Sequence, residues 1–176
     1  ELGPTGTRVS LRGISAPSAT DVWACGAAAT VIRSSDGGAS WQNCSPTGLA
    51  ALELRSIHAW DGQRACVASA GTPAIILRTA DGGQSWQEAY QHPSADAFFD
   101  GLRFWDAERG LAFSDPIDGE WLLVDSQDGG LNWTPVAPQL IPAALAGEAG
   151  FAASNSAMCL GADGAVWIGT GGTDRS

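Results

Sequence analysis

The 176-residue chain contains no lysine, one methionine (Met158), one tyrosine (Tyr90) and two histidines, and only 16% of its residues are charged. All 9 basic residues are arginine, against 19 acidic ones, leaving a formal net charge of −10. A chain so poor in positive charge repels phosphate backbones and anionic lipid surfaces, which argues against nucleic-acid partners. No apolar run approaches the ~18 residues of a membrane-spanning helix; the longest, such as Ala74 to Leu77, are strand-sized. Metal and cofactor motifs are missing too. The four cysteines (Cys25, Cys44, Cys66, Cys159) lack C-x-x-C spacing, and His58 and His92 lack H-E-x-x-H. There is no D-x-[DN]-x-[DN]-G calcium loop and no G-x-G-x-x-G between a strand and a helix. No metal and no cofactor are therefore expected. Glu1 opens the chain and Met158 is its only methionine, so a natural start lying upstream is expected.

What is abundant is turn residues and bulky aromatics: 23 glycines, 9 prolines and 8 tryptophans. That combination favours short strands joined by tight turns over long helices. Three segments then align without gaps: Ser34-Ser35-Asp36-Gly37-Gly38-Ala39-Ser40-Trp41, Thr79-Ala80-Asp81-Gly82-Gly83-Gln84-Ser85-Trp86 and Ser126-Gln127-Asp128-Gly129-Gly130-Leu131-Asn132-Trp133. All fit [S/T]-x-D-G-G-x-[S/N]-W at a period of about 46 residues, the length of one four-stranded propeller blade.

The flanking segments repeat as well. Leu11 to Ser15, Leu54 to His58 and Phe99 to Arg103 read as first strands. Second strands follow around Trp23, Cys66 and Leu111, and third strands run into each D-G-G turn. The fourth strands begin at the motif tryptophans Trp41, Trp86 and Trp133. Asp bonds backbone N–H groups in a turn, Gly supplies positive φ, the leading hydroxyl ties the turn together, and the Trp returns to the apolar layer. Ser34, Asp36, Gly38 and Trp41, with Thr79, Asp81, Gly83 and Trp86 and with Ser126, Asp128, Gly130 and Trp133, therefore read as structural hairpin staples.

These motifs resemble the Asp-box, or bacterial neuraminidase repeat, of sialidases, sortilin-type receptors, xyloglucanase-type glycosidases and the photosystem II assembly and stability factor propellers. The D-G-G-x-[S/T]-W form after an aliphatic-aliphatic-Arg strand is most similar to the last group and its bacterial relatives. The fold expected is all-β: a β-propeller of four-stranded antiparallel blades with Asp-box hairpins, about 3.8 blades in this chain. The resemblance implies a ring of about seven blades. Blade one falls at about 10–46, blade two at 53–92, blade three at 98–138 and an incomplete blade four at 150–176. Phe151 to Ser154 and Val166 to Gly169 are the candidate first and second strands of blade four. Incomplete rings expose apolar faces and strand edges, so the chain is expected either to be part of a larger propeller or to self-associate.

Asp-boxes occupy one face of such a ring, leaving the loops between second and third strands free on the other. The longest, Ser114 to Glu120, carries Asp115, Asp118 and Glu120. As a site these supply an acid and a base for glycoside hydrolysis; as structure, Asp-Pro and Asp-Gly simply turn a hairpin. Trp121 beside them has no counterpart in other blades and suits either carbohydrate stacking or core packing. Arg12 and Arg55 occupy equivalent first-strand positions, where blade three carries Asp100; Arg33 and Arg78 are likewise equivalent, with Asp125 in blade three. The assembly-factor resemblance implies an arginine patch that holds a client protein, carried here by Arg12, Arg55 and Arg103. It also implies an extracytoplasmic location. Trp23 and Trp167 match in second strands and read as core, and Cys25 and Cys66 as equivalent small buried residues. The sequence thus points to a non-catalytic scaffold binding a protein partner, with a sialidase- or xyloglucanase-like glycoside hydrolase as the alternative.

Overall fold

The computed structural model describes residues 5–152 and 155–172. Three four-stranded antiparallel sheets follow one another along the chain: β1 (Leu11–Ser15) to β4 (Gln42–Asn43), β5 (Leu54–Ala59) to β8 (Gln87–Gln91), and β9 (Phe99–Phe104) to β12 (Thr134–Pro135). Between them lie β2 (Val22–Gly26), β3 (Val31–Ser34), β6 (Ala65–Ser69), β7 (Ile75–Thr79), β10 (Gly110–Ile117) and β11 (Glu120–Ser126). Within each sheet the strands pair in sequence order, the meander of a propeller blade. A two-stranded sheet, β13 (Met158–Leu160) and β14 (Val166–Ile168), comes last. One 3₁₀ turn at Pro138–Leu140 is the only helical element among the described residues.

Burial explains why the middle strands lack simple alternation. Sheet two is sandwiched between sheets one and three, so β6 is buried at all five positions. One apolar layer joins sheets one and two through Trp23, Val31, Leu54, Ile57, Val67 and Leu77. A second joins sheets two and three through Cys66, Ile76, Phe99, Leu102, Phe104 and Val124. A third, smaller one places Phe113 and Leu111 against Met158 of the fourth sheet. Tryptophan N–H groups lock the same joints: Trp23 Nε1 donates to Asp61 O (2.9 Å), Trp60 Nε1 to Asp106 O (3.2 Å) and Trp105 Nε1 to Gly161 O (3.1 Å). Each ring buries apolar area while its polar edge is satisfied by the next sheet's turn.

Register makes the repeat explicit. Ser15, His58 and Arg103 pair with Trp23, Cys66 and Leu111, which in turn pair with Arg33, Arg78 and Asp125. Three expectations need correction. The first strand of the fourth sheet is Met158–Leu160 and not Phe151 to Ser154: residues 151–152 form no strand, and 153–154 lie outside the described residues. Cys25 and Cys66 are not equivalent, because Cys25 pairs with Gly13 while Cys66 takes the Trp23 position, two residues earlier. Trp167 does match Trp23 in position yet is 70% exposed. Its neighbours Val166 and Ile168 pack with sheet three, while Trp167 itself stays largely uncovered by the described residues.

Candidate functional site

The Asp-boxes hold carboxylates whose two oxygens are both hydrogen-bonded. In box one Asp36 Oδ1 accepts from Ser34 Oγ (2.7 Å) and Ser40 N (2.8 Å), and Oδ2 accepts from Ser40 Oγ (2.6 Å). Ser34 Oγ in turn accepts from Gly38 N at 2.8 Å. Thr79, Asp81, Gly83 and Ser85 repeat this, as do Ser126, Asp128, Gly130 and Asn132. Hydrogen bonds from Ser40 and Ser85 hold Asp36 and Asp81 down at about 2. Carboxylates so fully bonded are poor acids or bases. Trp41 Nε1 and Trp133 Nε1 donate within their own boxes to Gly38 O and Gly130 O, whereas Trp86 Nε1 reaches Cys44 O of the preceding sheet at 2.7 Å. Each box also rests on the turn between first and second strands, as in Gly82 N to Gln63 O at 2.9 Å.

The opposite face carries the arginines. Register shifts between Leu11 and Gly13, between Leu54 and Ser56 and across the Phe99–Gly101 pairing place Arg12, Arg55 and Asp100 each as the extra residue of a β-bulge. A bulge re-aims its side chain and bends the strand. Arg12 is exposed; Arg55 is half-buried, its guanidinium 5.6 Å from the centre of the Phe98 ring. Neither makes an ion pair with any described residue, unlike Arg33, Arg64 and Arg109, which meet Asp21, Asp61 and Asp106. Arg103 does not join them. It lies three residues along β9 toward the box face, with Nε donating to Asn155 O at 3.1 Å.

In the third sheet the bulge residue is buried instead. Asp100 is 1% exposed, and its Oδ2 has no hydrogen-bond partner. Burial, reinforced by the nearby Asp115 carboxylate, pushes the Asp100 carboxyl up to about 8. Asp115 itself accepts from Gly150 N at 2.7 Å. A Cβ on residue 150 would stand 2.6 Å from Asp100 Oδ2, so glycine is required for this close approach.

That geometry disperses the acidic segment. Ser114 to Glu120 is mostly strand: β10 and β11 run to an Ile117–Glu120 pair, and Asp118 and Gly119 turn with φ of 53° and 83°. Such positive values at both central positions define the hairpin turn Asp-Gly favours. Asp118 and Glu120 stand exposed at the tip while Asp115 turns inward. Trp121 is half-buried in the layer between sheets three and four, on the wall of an apolar cleft of about 640 Å³ shared with Leu123, Val136, Ile141 and Trp167. Among the described residues no group of three His, Cys, Asp or Glu side chains is arranged to hold a metal ion.

Asn155, absent from the sequence reading, is the main unforeseen residue. Its φ is 61°, its Oδ1 accepts from Leu102 N (2.9 Å) and its Nδ2 donates to Ile57 O (3.0 Å), tying the approach to sheet four onto sheets two and three. Only its tolerance for left-handed backbone was locally readable.

Stacked four-stranded meanders with an Asp-box between third and fourth strands define a BNR-type β-propeller, of which this chain is a part. The family model described as photosynthesis system II assembly factor YCF48 matches residues 6–95, and the chain belongs to that family. Among solved structures, one described as YCF48 bound to D1 peptide superposes with a TM-score of 0.58 at 22% identity, covering 74% of this chain and 40% of that one. YCF48 from Cyanidioschyzon merolae gives 0.55 at 19% identity over 78% of this chain and 43% of that one. The GH74 xyloglucanase from Xanthomonas campestris gives 0.51 at 18% identity over 77% and 20%. The chain spans about two fifths of the YCF48 structures it matches. No curated protein matches it by sequence. No helix among the described residues is long and apolar enough to cross a membrane.

Proposed function

We propose that this chain is part of a non-catalytic propeller scaffold that binds a protein partner, as an assembly factor does, and that Arg12 and Arg55 contact that partner. The observation that carries the reading is their shared bulge position on adjacent inner strands, with no carboxylate paired to either among the described residues. Guanidinium groups in this state suit bidentate contact with partner carboxylates. Membership of the YCF48 family supports a protein ligand. The test uses the whole protein and a D1 peptide, the ligand named for one related structure. Arg12→Glu with Arg55→Glu is expected to weaken binding at least about tenfold; unchanged binding overturns the reading.

Glycoside hydrolysis is the second reading, favoured by the GH74 likeness and by Trp121 beside an open cleft. The inward turn of Asp115 and the tip position of Asp118 and Glu120 weigh against it. Turnover of aryl glycosides that Asp118→Asn abolishes would replace the binding reading.

A further inference from the structure

A second, smaller cavity of about 160 Å³ opens at the inner strands, lined by Ile14, Ser15, Ile57, His58, Arg103, Phe104 and Asn155. Its polar groups come from one repeated position. Ser15, His58 and Arg103 are equivalent in three consecutive sheets, so the stacking itself brings them to one place. Arg103 spends Nε on Asn155 O and leaves the outer edge of its guanidinium without a partner. The His58 ring is held edge-on by Trp60 and tilted against Phe104, with centroids 5.1 and 5.0 Å away, and makes no hydrogen bond. Ser15 Oγ accepts from Ala59 N at 3.0 Å, so its hydroxyl hydrogen remains to be donated. The Asn155 amide is fixed by Leu102 N on its oxygen and Ile57 O on its nitrogen and serves as a wall.

The unused donors in this cavity are the outer edge of the Arg103 guanidinium, the Ser15 hydroxyl hydrogen and one imidazole N–H, and no carboxylate lines it. Unlike Arg33, Arg64 and Arg109, which meet aspartates, Arg103 is half-buried with no carboxylate in reach and stands beside an imidazole without a hydrogen bond among the described residues. We infer that this cavity is a binding site for a small carboxylate, with the free edge of Arg103 gripping both oxygens, His58 and Ser15 donating from the side, and Phe104 and Ile57 packing the attached carbon. Bidentate guanidinium–carboxylate pairing supplies the orientation. The state of the imidazole agrees. Burial and the Arg103 charge hold His58 down to about 4, and a bound anion relieves the second of these.

The carboxylate belongs either to a free organic acid or to an acidic side chain of a bound polypeptide. The polypeptide source rests on the partner-binding reading above. The free-acid source does not, and Arg12 and Arg55 take no part in it, so the two can fail separately. The experiment is a titration of the whole protein with acetate and, separately, with an aspartate-containing peptide, following the ring resonances of His58 against those of His92. A saturable shift confined to His58, with its titration midpoint rising by about one pH unit, is expected. Arg103→Gln should weaken binding at least about tenfold while Arg103→Lys retains part of it. Response to acetate identifies a free-acid site, and response to the peptide alone a side-chain site. No saturable shift with either ligand, or an undiminished one in Arg103→Gln, overturns the inference. Should Arg103→Gln fail to fold, His58→Gln must lose the acetate-dependent rise in Tm, and retention of that rise is equally fatal.

Discussion

Replacing Asp100 by asparagine isolates a single proton. The unfolded carboxyl ionises near 3.8, and in the fold burial and Asp115 raise it to about 8. Between those values the folded chain keeps a proton that the unfolded chain has released, so stability falls as pH rises, and the loss is complete once pH passes about 8. The limiting slope for one proton is ~1.4 kcal/mol per pH unit. From pH 6.5 to about 8 the fall is therefore at most ~2 kcal/mol, reduced toward ~1 kcal/mol where solvent reaches the Asp115 side. Other groups leave this window nearly clear. His58, neutral in the fold and ordinarily titrating at 6.5, adds only a residual rise of about 0.4 kcal/mol above that value, small against the Asp100 fall. Cys25 and Cys66, raised by burial from 9.0 to about 12, destabilise only above pH 9.0. Urea unfolding of the two proteins at intervals between pH 6.5 and 8 should show a declining line for the natural chain and a nearly flat one for Asp100→Asn. Parallel lines would refute the raised carboxyl assigned to Asp100.

The box hydroxyls and glycines give further tests. Thr79→Val leaves Gly83 N–H buried without its acceptor and should lower the unfolding free energy by about 1–3 kcal/mol in urea melts. Gly83→Ala combines a φ of +83° with a Cβ 2.5 Å from Cys44 Cβ, and should destabilise by about 1–3 kcal/mol or more, read as a lower urea midpoint. Because Asp36 and Asp81 titrate at about 2 in the fold and 3.8 outside it, their contribution is complete above pH 3.8 and lost as pH falls through 2, which an acid titration followed by circular dichroism should register. Trp167→Ser should leave stability within about 0.5 kcal/mol of the natural chain while reducing concentration-dependent association by light scattering.

The parts legible in the sequence were those in which local chemistry repeats. The D-G-G spacing located the box hairpins, because hydroxyl, carboxylate and positive-φ glycines within one turn satisfy one another. Aligning the repeats also paired Arg12 with Arg55 and with Asp100. The bulge that carries all three was not visible, since it depends on the cross-strand count. Arg103 was expected beside Arg12 and Arg55 but lies apart from them, because three residues along a strand move a side chain about 10 Å toward the other face. Asp115 looked like a partner for Asp118 and Glu120; its actual neighbours, Asp100 and Gly150, are set by a neighbouring strand and by a loop 35 residues on. Asn155 was out of reach altogether, because its acceptor at Ile57 lies 98 residues away. Trp167 was placed correctly by the repeat, but exposure is a property of what stands opposite, and that is not encoded in its own strand.

The forward-facing second-strand residue, Trp23, Cys66, Leu111 and then Trp167, gives the stack a direction. Each sheet presents this residue to its successor, so a sheet is held by the neighbour on either side and by little else. Opening then becomes a nearest-neighbour process. Amides of β6, clasped on both faces, should exchange with solvent only when the whole stack comes apart.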